Sequence, residues 1–163
     1  MASNVPLVKQ VNWIALLPQF MVIGIFYTIF NLIEIKEPFL FGAITYFVLA
    51  MVLRNLFAKE HRQAIKMVKL HQYEIAIHLF EESVDYFSRN SWVDKYRSIT
   101  LLTVSRMGYR EMGLCNIAFC YSQIGEGQTA KEYYELILSE FPDNGLAQAG
   151  LKMLTSFEHN DDD

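Results

Sequence analysis

The stretch AFCYSQIGEGQTAKEYYELILSEFPDN, Ala118 to Asn144, reads as two amphipathic helices joined by a glycine turn. Leu114, Ile117, Ala118 and Tyr121 recur on one helical face before Gly125-Glu126-Gly127 interrupts it. Ala130, Tyr133, Tyr134 and Ile137 form the next apolar face, which Phe141-Pro142 closes. No segment after Phe57 alternates polar and apolar residues as a half-buried strand would, so the sequence predicts an all-α protein.

The front of the chain has a different texture. Hydrophobic residues make up 52% of the 163, and they are concentrated there. No charge falls between Gln10 and Ile33, a run longer than the roughly 20 residues that carry a helix across a bilayer. We expect a first transmembrane helix over about residues 11–33. Pro38 to Leu53 adds 16 uncharged residues. Leu56 and Phe57 lengthen this run, and Arg54 is placed to reach lipid headgroups, which gives a second span over 38–57. The competing reading of the second run is a buried core helix, because 16 residues fall short of a full span. Five residues, Glu34 to Pro38, suffice only to reverse direction, so a two-helix transmembrane hairpin is expected over residues 1–57. The apolar block runs into Asn31-Leu32-Ile33-Glu34 without a small-residue cleavage site, so the segment reads as retained.

Lysine and arginine bias orients such a hairpin. Lys9 precedes the first span, Arg54, Lys59, Arg62, Lys66 and Lys69 follow the second, and the turn holds Lys36 alone. Both termini are therefore expected to be cytoplasmic. Cys115 and Cys120 then lie where thiols stay reduced, and their spacing on one helix suits two buried free thiols better than a bridge or a metal site.

From Glu111 to Asn144 the chain resembles one tetratricopeptide repeat, a 34-residue helix-turn-helix unit. Leu114, Ile117, Ala118 and Tyr121 match its first helix; Ala130, Tyr134 and Pro142 match its second. A degenerate copy precedes it over 57–90, where Ala64, Ala76 and Phe80 repeat the small, small, aromatic spacing and His71 stands at the turn glycine. Gly145 to Phe157 reads as a closing helix, and 159–163 as a solvated, disordered acidic tail. The resemblance implies a short helical repeat domain over 58–158. It also implies a ligand groove lined by Met112, Cys115, Asn116, Phe119 and Ser122, with His61, Arg62, Ile65 and Lys69 from the earlier copy.

The two copies are 54 residues apart, Ala64 to Ala118, which leaves an insert over 91–110. Ser91 and Asp94 have the spacing of a capping box, and no proline follows before Ile124. One unusually long helix, about 33 residues and roughly 50 Å, is expected there, bent at Gly108 or Gly113. Its apolar Ile99, Leu101, Leu102, Val104 and Met107 need a cover that two repeats do not supply, and a second copy of the protein is one candidate.

No nucleophile motif, phosphate loop or metal-ligand spacing appears, and the sequence points to no enzyme, cofactor or metal. His71, Glu74 and His78 are the nearest approach to a metal set, and they read better as a solvated face. Arg106 and Arg110, four apart, call for acidic neighbours in the fold or on a partner. From Leu70 onward seven basic residues stand against fifteen acidic ones, a balance unsuited to nucleic acid. Arg54, Lys59, Arg62 and Lys66 form a basic membrane-surface stretch by contrast.

These features point to a membrane-anchored adaptor or scaffold. A hairpin in the lipid would hold a repeat domain at the cytoplasmic face to bind an unidentified protein or peptide, or to assemble a membrane complex. The alternatives are a structural homo-oligomer built through the long helix and the hairpin, and an accessory subunit of an enzyme or transporter.

Overall fold

The structure is a computed structural model that describes residues 13–161. Lys9, Asn12 and the end of the acidic tail lie outside the described residues, as does the start of the first expected span. Among the described residues all regular elements are helical.

A short 3-10 turn, Trp13–Ala15, leads into α1 (Leu16–Leu32), and α2 (Pro38–Phe57) follows. Pro18 falls in the first turn of α1, where its missing amide hydrogen would have had no partner inside the helix. Pro38 opens α2 for the same reason. Between the helices Glu34 takes a left-handed φ of 60°. Its amide donates to the Asn31 carbonyl at 3.1 Å, and that of Ile35 donates to Phe30 at 3.2 Å, the bond pair of a Schellman turn. The helices run antiparallel. Near the turn the rings of Phe30 and Phe41 lie 6.3 Å apart. Gly42 brings the backbones close, since a Cβ there would stand 3.3 Å from the Tyr27 nitrogen. Further along, the Tyr46 hydroxyl donates to Gln19 Oε1 at 2.9 Å.

Both helices are long and apolar enough to cross a membrane, and only 11% of each span is buried. A core helix turns its apolar side chains inward, whereas Phe39, Phe47 and Leu56 of α2 face out.

These two helices belong to one of two compact units. It comprises Lys9–Lys59 together with Asn90–Gly108. The other comprises Glu60–Arg89 and the chain from Tyr109 onward.

In this second unit α3 (Lys59–Lys69) and α4 (Tyr73–Arg89) precede the insert, and α7 (Tyr109–Gln123), α8 (Gly127–Glu140) and α9 (Gly145–Asp161) follow it. Despite the 19 residues between them, α4 and α7 pack side by side. Gly113 permits this, since a Cβ there would lie 2.6 Å from Val84 Cγ2. The glycine expected to bend a long helix is thus a point of close approach between two short ones. Ala64, Ala76, Ile77, Phe80, Ile117 and Cys120 form one buried cluster across α3, α4 and α7. Beyond it α8 packs on α7 and α9 on α8, where Gly150 lies directly against the Tyr134 ring. Tyr121 stacks on Tyr133 with ring centroids 5.5 Å apart.

Both helix-turn-helix pairs of this unit close their first helix in the same way. Gly125, at φ 87°, ends α7, with the Glu126 amide donating to the Tyr121 carbonyl at 3.0 Å. His71, at φ 58°, ends α3; Gln72 donates to Met67 and His71 to Val68, each at 3.0 Å. Both turns share a left-handed residue followed by an amide that bonds back five residues, and the two left-handed residues are 54 apart, the offset of Ala64 from Ala118. The α9 helix carries on through Asp161, so the tail expected from 159 begins as helix.

The long helix over 91–124 does not form. In its place stand α5 (Ser91–Lys95), α6 (Arg97–Thr100), an irregular stretch to Gly108, and then α7. Arg97 explains the break. Its guanidinium collects the carbonyls of Asp94, Ser105 and Arg106, folding the chain back on itself where a straight helix would have carried it on. Leu102 turns the corner with a φ of 47°. Ser91 is not the N-cap: Asn90 occupies that position without a side-chain cap bond, and the Asp94 carboxylate sits against Gly108.

Candidate functional site

Two regions have unusual surfaces. The first is the expected groove on α7 and α3. Asn116 and Ser122 are half-buried and turned onto their own helix: the Asn116 amide donates to the Met112 carbonyl at 2.9 Å, and the Ser122 hydroxyl donates to Phe119 at 2.7 Å. Phe119 packs edge-on against Tyr73 at 6.3 Å, beside the buried cluster. Arg62, Lys66 and Lys69 are exposed on α3, as is Lys59, and Met112 is half-buried on α7.

Two residues expected in this groove are in the core. Cys115 is buried because Asn144 closes over it. The Asn144 side chain accepts from the Ala147 amide at 2.9 Å, which caps α9, and donates to Glu111 Oε1 at 2.9 Å and to Cys115 Sγ at 3.4 Å. His61 is enclosed between the rings of Phe80 and Tyr109, at 5.2 and 5.1 Å, with its Nδ1 3.4 Å from the Ser83 hydroxyl. Repeat spacing puts both on a helix face that a third element covers here.

Burial also sets their chemistry. Desolvation holds the His61 imidazole down to a pKa of about 4, which keeps it neutral. It pushes the Cys115 thiol up to about 11 and Cys120 up to about 12. Neither thiol is a nucleophile at neutral pH. Both are free and buried, as their spacing suggested.

His71 Nδ1 lies 2.8 Å from the Tyr73 hydroxyl, and His78 pairs with Glu82 at 3.5 Å. Among the described residues no group of three or more His, Cys, Asp or Glu is placed to hold a metal ion. Arg110 forks onto the Glu140 carboxylate and so finds its acidic neighbour inside the fold. Arg106 stands in the irregular stretch, which removes the helical pairing expected between them.

The second region is the insert, Asn90–Gly108, which the sequence left without a cover. The base of the α1–α2 pair covers it. Helix α6 packs on α1. Arg54, in the last turn of α2, donates to the carbonyls of Leu101, at 3.2 Å, and Leu102. Arg54, expected at the membrane surface, is thus hydrogen-bonded to the insert. Val93, Leu101, Leu102 and Met107 are buried on the inner side. Trp92, Tyr96 and Ile99 are more than half exposed on the outer side. Spacing could have suggested this division, since 92, 96 and 99 share a helical face, but nothing local names the partner of Leu101 and Leu102.

Comparison with protein-family models, curated proteins and solved structures finds no match to this chain.

Proposed function

We infer that this chain is a membrane-anchored adaptor. Helices α1 and α2 span the bilayer as a hairpin with both ends cytoplasmic, and the α3–α4, α7–α9 unit is a tetratricopeptide-like module that binds another protein or helps assemble a membrane complex. The observation that carries the reading is the repetition inside the second unit. The same left-handed turn recurs at His71 and Gly125, with buried alanines at matching places on either side, Ala64 and Ala76 against Ala118 and Ala130. A stack of such pairs is a binding scaffold. The anchor rests on apolar side chains that face outward along two 20-residue helices. Partner contact belongs to the exposed Arg62 and Lys69 of α3 with Met112 and Phe119 of α7.

Topology is tested by labelling Lys36→Cys and Lys152→Cys variants in intact cells with a membrane-impermeant thiol reagent. The native thiols are buried and stay silent. Labelling at 36 alone is expected; labelling at 152 refutes the orientation. Crosslinking from the full-length protein, with Arg62→Glu and Lys69→Glu as the comparison, tests the module. A partner set unchanged by both substitutions refutes the assignment of the binding face.

A further inference from the structure

We propose that the insert between α4 and α7 is a membrane-interface belt, in which Trp92, Tyr96 and Ile99 enter the headgroup layer of the leaflet at the base of the hairpin. The proposal rests on the hairpin reading and extends it to a segment outside both spans.

Three observations meet here. The insert is part of the hairpin's own compact unit, tied to the last turn of α2 by the Arg54 bonds to Leu101 and Leu102 and laid on α1 by α6. Its outward face is apolar along one line. The Tyr96 amide donates to Trp92 and that of Thr100 to Tyr96, both at 3.0 Å, so a helical track persists across the α5–α6 junction and brings 92, 96 and 99 to one side. The residue types are those of an interface. Trp and Tyr concentrate at headgroup depth, where an apolar ring meets lipid and its polar edge meets water. The chain holds two tryptophans, and both are exposed at this end of the unit, Trp13 where α1 begins and Trp92 on the insert.

Charge placement agrees. Arg97 turns inward onto three carbonyls of the insert and Asp94 lies against Gly108, so neither interrupts the outer face. Lys95 is exposed with its Nζ 5.7 Å from the Tyr96 ring centre, beside the apolar line, where it can meet anionic lipid. Short in-plane segments with such a face bind the acyl-headgroup boundary. A lipid surface is the occupant because the patch belongs to the same unit as α1 and α2, whose apolar side chains face outward, and is tied to the last turn of α2.

The test is depth-resolved fluorescence quenching on full-length protein in phosphatidylcholine vesicles containing phosphatidylglycerol. Trp13→Phe leaves Trp92 as the sole emitter, and Trp92→Phe leaves Trp13. The expected result is that Trp92 loses most of its emission to lipids brominated close to the headgroup, less to lipids brominated near the chain ends, and little to aqueous iodide. Iodide quenching of Trp92 without bromine quenching, while Trp13 is quenched by bromolipid, overturns the belt and leaves the hairpin standing. Emission from Trp92 shielded from both quenchers also overturns it and assigns the patch to a protein partner or a second copy. If neither tryptophan responds to bromolipid and alkaline carbonate extracts the protein, the hairpin reading falls and the belt falls with it.

Discussion

Replacing Gly113 by alanine tests the contact that joins the two helix pairs across the insert. The new Cβ would stand 2.6 Å from Val84 Cγ2, closer than atoms of this kind approach, and valine has little rotamer freedom in a helix with which to withdraw. Overpacking of this sort costs about 1–3 kcal/mol. Against it, alanine gains about 1 kcal/mol over glycine in a helix interior. The net effect of Gly113→Ala is therefore a loss of about 0–2 kcal/mol, or up to about 8 °C in Tm for a chain of this size. In a Val84→Ala background the clash disappears and the same substitution stabilises by about 1 kcal/mol. The effect reverses sign, and the coupling energy of the double-mutant cycle is about 1–3 kcal/mol. Urea titration in mild detergent, followed by circular dichroism, measures all four variants. An equal effect of Gly113→Ala in both backgrounds refutes the direct α4–α7 packing.

Other predictions follow the same logic. His61 binds fewer protons folded, with a pKa of about 4, than unfolded, near 6.5, so its contribution is complete above pH 6.5 and is lost as pH falls toward 4. The loss is about 3 kcal/mol, and His61→Leu should flatten stability over that window in pH-resolved urea titrations. Arg54→Gln leaves the Leu101 and Leu102 carbonyls without their charged donor. Hydrogen exchange should accelerate in residues 98–107 while α7 and α8 keep their protection, and uniform acceleration would contradict the division into units. His71→Gly relieves a left-handed residue of about 1 kcal/mol and gives back part of it as unfolded-chain entropy, so a small rise in Tm is expected from calorimetry. Cys115 and Cys120 should resist iodoacetamide in the native protein at pH 8 and react on unfolding, which mass spectrometry reads directly.

Most helices were legible because their signals are local. A charge-free run bounded by Glu34, the left-handed slot filled by Gly125 in one pair and His71 in the other, and the alanines at 64, 76, 118 and 130 all lie within one turn of what they determine. The insert was misread because its decisive contacts are not local. Helical spacing and the lack of proline from Ser91 to Ile124 favour a long helix, and nothing nearby reveals that Arg97 will collect three carbonyls or that Arg54, 47 residues upstream, will hold Leu101. Apolar Leu101 and Leu102 did announce that a cover was needed; identifying α1 and α2 as that cover required the tertiary structure. The groove was legible only in part. Repeat spacing places Cys115 and His61 on a helix face, but whether that face stays open depends on Asn144 and Tyr109 arriving from elsewhere.

The passage of the chain between its two units also dictates an order of events during synthesis. Helix α4 emerges carrying a face whose partner, α7, lies beyond the insert, and α2 emerges with Arg54 waiting for carbonyls 47 residues later. Neither unit can be completed until residues 90–108 have left the ribosome and settled. Contacts this distant in sequence slow folding, and an unpaired apolar face is exposed to aggregation in the interval. At the 5–20 residues per second typical of translation, the interval lasts on the order of seconds, long enough for a chaperone to shield α4.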